Sequence, residues 1–192
     1  MIANYISASS TPDFFICYDV ELLLMQLQRN DFVERQHARE TLGCIGKAVV
    51  PDLIELLDHS DEHVRWEACK TLAKIRDPRA GYALAEALLD DDADVRWVAA
   101  KALIALECHA IEPLLHIIKI HFDSVLLREA AHHVLRELKR EDILDEKVEA
   151  VYDALGSNVM PMRLVMKVNE ALECERTKRI SIPGKATHST NL

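Results

Sequence analysis

A chain of 192 residues is long enough for one domain with a sizeable core, and 49% hydrophobic residues with only 5 Gly and 6 Pro favour an all-helical protein. Its formal charge of −9, from 32 acidic and 23 basic residues, repels a phosphate backbone, so nucleic acid is not an expected partner. No stretch approaches the roughly 18 uninterrupted apolar residues of a membrane span, and the opening residues lack the basic start and apolar run of a signal peptide, so no membrane association is expected. Five cysteines (Cys17, Cys44, Cys69, Cys108 and Cys174) are dispersed and form no C-x-x-C pair. That spacing argues against a disulfide framework or a zinc knuckle and fits a reducing cytoplasm.

In chain order, residues 1–12 read as a disordered N-terminus, and 16–30 read as a capping helix. A repeated element then begins. Residues 64–75 and 95–106 align without a gap, 31 residues apart, sharing Val64/Val95, Arg65/Arg96, Trp66/Trp97, Ala68/Ala99 and Leu72/Leu103. Looser copies occupy 34–45 and 127–138. Each copy is a helix by spacing: Val64, Ala68, Leu72 and Ile75 form one apolar stripe. The small residues Ala38, Ala68, Ala99 and Ala131 allow a neighbouring helix to approach closely.

Second helices are expected over 49–58, 79–90 and 110–120, with Pro51, Pro78 and Pro113 in or just before first turns, where a missing N–H costs little. Polar loops over 58–63 and 90–94 precede the Arg-bearing helices, and Asp61 and Asp92 stand where helix caps belong. Arg65 and Arg96 are expected to bond loop carboxylates and lock adjacent units together. Residues 142–155 read as the second helix of a fourth unit. A break at Gly156, Ser157 and Asn158 follows, and then a final capping helix from 160 or 161 to 175 and a flexible tail over 178–192.

A helix pair of this size cannot bury its apolar faces alone, whereas stacked copies create one continuous core. The expected architecture is therefore an all-α superhelix of about four helix pairs with capping helices at both ends. It forms a single solenoid domain over 13–177, with its repeats at about 31–156.

These repeats resemble HEAT repeats, and more closely the short kind named after the phycobilisome lyases, whose unit runs roughly V-R-x-x-A-A-x-A-L-x-x-I, then a loop, then A-V-x-x-L-x-x-A-L. The resemblance covers about residues 31–156. It implies an α-solenoid, and a protein that binds rather than catalyses, since repeat folds host many roles. The deoxyhypusine hydroxylase, built on similar repeats, places His-Glu directly after the repeated Val-Arg. Here those slots hold Gln36-His37, Trp66-Glu67, Trp97-Val98 and Glu129-Ala130, so a di-iron site of that type is not expected. The resemblance also implies an enzymatic alternative: a bilin lyase or related chromophore-handling factor, which cradles an open tetrapyrrole and delivers it to a cysteine of another protein. Tyr82, His116, Lys119 and Tyr152 are what the inner helices would offer such a ligand.

Aligning the inner helices on their last core leucine puts Glu55, Glu86 and His116 at one position of successive units, with Asp153 in the fourth and Asp52, Glu112 and Glu149 nearby. With Tyr82, these form the expected partner-binding face: an acidic concave ladder suited to a basic helix or peptide of a protein partner. The aspartates of 90–94 lack the Gly and distal Glu of an EF-hand loop and read as a capping turn. His109, His116, His121, His132 and His133 show no i, i+4 pair on one inner helix, so no metal is expected. No phosphate loop or nucleophile elbow is present, and neither a catalytic residue nor a cofactor is expected. Trp66 and Trp97 read as partly buried packing residues of the outer helices, with an exposed aromatic pair for a partner as the alternative. The leading expectation is a non-enzymatic interaction module or scaffold. A self-assembling structural repeat is a further alternative, and the oligomeric state stays open.

Overall fold

The structure is a computed structural model that describes residues 19–29, 31–157 and 160–180. Among these residues there are helices and turns and no strand. A short first helix, α1 (Val20–Leu27), buries Val20, Leu23 and Leu27 against α2 (Phe32–Ile45). The expected capping helix over 16–30 is thus confirmed for its central part, while 16–18 and 30 lie outside the described residues.

The outer layer continues with α4 (Glu62–Ile75), α6 (Ala93–Ala105) and α8 (Val125–Arg140), each packed on the one before. The sequence repeat explains this stack. Asp31, Asp61, Asp92 and Ser124 cap these four helices, each side chain accepting a backbone N–H of the first turn. Seven residues past each cap stand Ala38, Ala68, Ala99 and Ala131, all fully buried; eleven past stand Leu42, Leu72, Leu103 and Leu135, also fully buried. A methyl group at the closest approach and a leucine one turn later let equal helices stack at equal spacing. Truncating such a leucine costs about 2–5 kcal/mol.

The inner layer is α3 (Val50–Glu55), α5 (Gly81–Glu86) and α7 (Ile111–Ile120). The expected longer helices of 49–58 and 79–90 are each a single α-helical core flanked by 3₁₀ turns, Gly46–Val49 and Leu56–Asp58 around α3, Pro78–Ala80 and Ala87–Leu89 around α5. The close approach of α5 to α7 depends on Gly81, where a Cβ would lie 2.9 Å from the Pro113 ring.

The recurrent arginine serves its own loop first. Arg35 donates to the carbonyl of Arg29, Arg65 to those of His59 and Ser60, and Arg96 to those of Asp90 and Asp91. Only Arg65 also reaches a carboxylate in the next loop, gripping Asp90 through Nε at 2.7 Å and Nη2 at 2.8 Å. The expected inter-unit lock therefore holds for Arg65 but not for Arg96, whose bonds go to carbonyls. The residue two before each outer cap decides this: Asp90 precedes α6, whereas Phe122 precedes α8. A second clamp joins α2 to α4, where Glu67, almost fully buried, receives Arg39 Nη1 at 2.5 Å and faces Arg35 Nε at 3.4 Å.

The C-terminal end is a fourth helix pair followed by a capping helix. Helix α9 (Glu146–Gly156) packs on α8, but it is α10 (Pro161–Ile180) that packs on both α7 and α9. Helix α9 is thus the second helix expected over 142–155, and α10 is the capping helix that packs beside both it and α7. The Tyr152 ring of α9 stacks on His132 of α8, with centroids 4.7 Å apart. Helix α10 extends to Ile180, into the segment expected to be tail; residues 1–18 and 181–192 lie outside the described residues.

Candidate functional site

Two surfaces bring chemically distinctive residues together. The first is the ridge of the inner helices. Glu55 on α3, Glu86 on α5 and His116 on α7 are all exposed at equivalent places, as their register requires. Tyr82, 48% exposed, lies one turn before Glu86 and meets the His116 ring edge-on, with ring centroids 5.7 Å apart. Asp52 and Glu112 are half-buried on the flank of this ridge. Glu149 pairs with Lys139 of α8 at 3.4 Å, the same lysine lies over the Tyr152 ring, and Asp153, though exposed, stands on a helix that is not packed on α7. Glu149 and Asp153, expected on the ladder, and Tyr152, offered for a chromophore, thus all lie on α9, with Glu149 and Tyr152 in contact with α8.

The second surface lies on the outer helices and was largely missed from sequence. Phe32 of α2, Trp66 and Lys70 of α4, and Trp97 and Lys101 of α6 line one groove of about 630 Å³. Trp66 is half-buried against the core, as expected for a packing residue. Trp97 is not: it is 51% exposed and stacks on His133 of α8, with centroids 5.2 Å apart. Lys70 Nζ sits 4.2 Å over the Trp66 ring and Lys101 Nζ 5.1 Å over Trp97. The signal was present in sequence as Trp-x-x-x-Lys repeated 31 residues apart, since i, i+4 residues share a helix face.

The remaining candidates of the sequence fall into packing roles. His132 and His133 are held against Tyr152 and Trp97. Burial and the nearby Arg136 hold the His133 ring below the usual histidine range. In the 90–94 turn, Asp92 caps α6, and Asp90 accepts Arg65 and the Asp92 amide. Burial pushes the Asp90 carboxyl up, but the Arg65 hydrogen bonds, the Asp92 amide and the charges of Arg65 and Arg96 together hold it below the usual carboxylate range. Cys69 is a buried hydrophobe whose thiol is pushed up to about 12 by burial and the Asp90 charge. Among the described residues no helix is long and apolar enough to cross a membrane.

Comparison with known proteins agrees with this architecture. The family described as HEAT repeats matches residues 20–104. Among solved structures, the complex of CpcE and CpcF of phycocyanin lyase from Nostoc sp. PCC7120 is similar at 26% identity, with a TM-score of 0.54 over 79% of this chain and 96% of that one. An engineered protein aligns at 18% identity and a TM-score of 0.39 over 83% of this chain and 99% of its own. A designed armadillo repeat protein in complex with the peptide (KR)4 aligns at 19% identity and a TM-score of 0.37 over 88% of this chain and 94% of its own. No curated protein matches the chain. With its capped, arginine-bearing outer helices stacked over short inner helices, the chain is an all-α solenoid whose residues 20–104 match HEAT repeats and which is similar to the phycocyanin lyase complex.

Proposed function

We propose that the protein is a non-enzymatic interaction module that binds a basic segment of a partner protein along its inner ridge. The observation that carries this is the in-register exposure of Glu55, Glu86 and His116 on three stacked helices, with Tyr82 packed edge-on to His116. A stack whose core is closed by fully buried Leu53, Leu84 and Leu114 holds that ridge stiff, so binding costs little ordering. Complementary charge then speeds encounter and excludes acidic partners. The CpcE–CpcF complex, in which a similar chain is joined to a second protein, supports a protein partner.

The test is titration of the full chain with a lysine–arginine octapeptide by isothermal calorimetry, at low salt and at about 0.15 M, where the screening length is roughly 8 Å. Binding that weakens with salt, and that falls tenfold or more in Glu55→Lys/Glu86→Lys while helicity is retained, is the expected result. Equal affinity in that variant sinks the inner ridge as the binding surface.

A second reading, handling of a bilin, is supported by the likeness to a phycocyanin lyase complex. Incubation with a bilin followed by gel filtration separates the two: co-elution of visible absorbance with the protein favours chromophore handling.

A further inference from the structure

The outer groove has an order of charge along it. Outer helices α4 and α6 contribute residues in the same order: Glu62 and Asp94, one position out of register, in their first turns, then the equivalent pairs Trp66 and Trp97 in the middle and Lys70 and Lys101 one turn further on. Among the other polar groups of the groove, His63 faces Glu62 at 3.4 Å, and Arg35, Glu67 and Asp92 are engaged within the fold. Glu67 is matched by Arg39 and Arg35, and Asp92 caps α6. What faces outward is therefore an acidic first turn followed by aromatic rings, each with a lysine ammonium group over it. Glu62 and Lys70 are eight residues apart and Asp94 and Lys101 seven, which at 1.5 Å per residue separates acid from lysine along the helix by about 11 Å.

From this we infer that the outer groove is a docking site for an amphipathic α-helix of a partner protein, one that carries an acidic and a basic residue about seven positions apart on one face with apolar residues between them. Charge complementarity selects the pattern: the partner's acid meets Lys70 and Lys101, its base meets Glu62 and Asp94, and its apolar residues cover Trp66, Trp97 and Phe32. Residues at i, i+3, i+4 and i+7 of a helix lie on one face and span the same two turns. The groove walls are helices whose backbone groups are spent on their own ladders, so an extended peptide laid on these aromatics would leave its own N–H and C=O groups unpaired. A helix brings its backbone already satisfied and packs ridge into groove. The site is separate from the inner ridge, and its residues take no part in the proposed binding there.

Both tryptophans of the chain line this groove, so tryptophan fluorescence, excited where tyrosine does not absorb, reports on it. Three alanine-rich helical peptides, each with leucines at i+3 and i+4, serve as probes: one with Glu at i and Lys at i+7, one with Lys at both, one with Glu at both. Titrated into the full chain, the Glu/Lys peptide is expected to shift the fluorescence with at least tenfold higher affinity than either other peptide. Lys70→Glu/Lys101→Glu, checked for helicity by circular dichroism, is expected to reverse the order in favour of the Lys/Lys peptide. Trp97→Ala, followed by anisotropy of a labelled Glu/Lys peptide, should weaken binding tenfold, whereas Glu55→Lys/Glu86→Lys should leave it unchanged. The inference is overturned if no peptide shifts the fluorescence, or if the wild-type chain prefers a like-charged peptide. It is equally overturned if the lysine reversal leaves the order as it was.

Discussion

Replacing Asp90 with alanine tests what holds neighbouring repeats together. Asp90 joins the loop before α6 to Arg65 of α4 by two hydrogen bonds, at 2.7 and 2.8 Å, and both side chains are largely shielded, at 9% and 15% exposure. It also accepts the Asp92 amide at 2.8 Å, just before the α6 cap. A hydrogen bond to a charged group contributes about 1.5–3 kcal/mol when partly buried, and an abandoned partner raises the loss. Arg65 keeps the His59 and Ser60 carbonyls, so it is not left bare. The expected loss is about 3 kcal/mol, a fall in Tm of about 6–12 °C for a chain of this size, read by circular dichroism. A double-mutant cycle with Arg65→Ala should return a coupling of about 2 kcal/mol. Acid gives an independent check. The folded carboxyl lies below its ordinary value of 3.8, so it stabilises fully above that pH and the stabilisation is lost as pH falls through the folded value. Wild type should lose more stability than Asp90→Asn in that window. An Asp90→Ala protein melting within about 2 °C of wild type, or strictly additive effects at Arg65 and Asp90, would refute the lock.

Gly81→Ala should lower the unfolding free energy read from denaturant titration by about 1–3 kcal/mol, because the new Cβ falls 2.9 Å from Pro113 Cγ and α5 must move off α7. Asp92→Ala should cost about 1 kcal/mol in thermal melts through loss of the cap on the Asp94 and Val95 amides, and Asp61→Ala a similar amount at α4. In thiol labelling at pH 8 followed by mass spectrometry, the exposed Cys44 and Cys108 should react before denaturant is added and Cys69 only after, since burial keeps its thiol protonated. Rapid native labelling of Cys69 would contradict the closed core.

The repeat, its caps and its core were legible in sequence because each depends on spacing alone. A helix cap, a close-packed alanine and a buried leucine recur at fixed offsets from Asp61 and again from Asp92, and a period needs no tertiary information to be read. The register of Glu55, Glu86 and His116 was legible for the same reason. Where the period fails, reading stops. Over 142–155 the repeat is weak, and the contacts that join this helix to α8, His132 stacking on Tyr152 and Lys139 reaching Glu149, carry no signature in spacing.

Local sequence thus determined which segments are helices, how they end and which face each one buries, since propensity, capping and apolar stripes act within about one turn. Only tertiary packing decided that α10 rather than α9 flanks α7, that Arg65 finds a carboxylate while Arg96 finds carbonyls, and that Trp66, Trp97 and Phe32 share one groove with two lysines. Those outcomes depend on which residues of distant segments meet across a gap of one side chain, and pairwise complementarity of that kind is a property of the assembled stack.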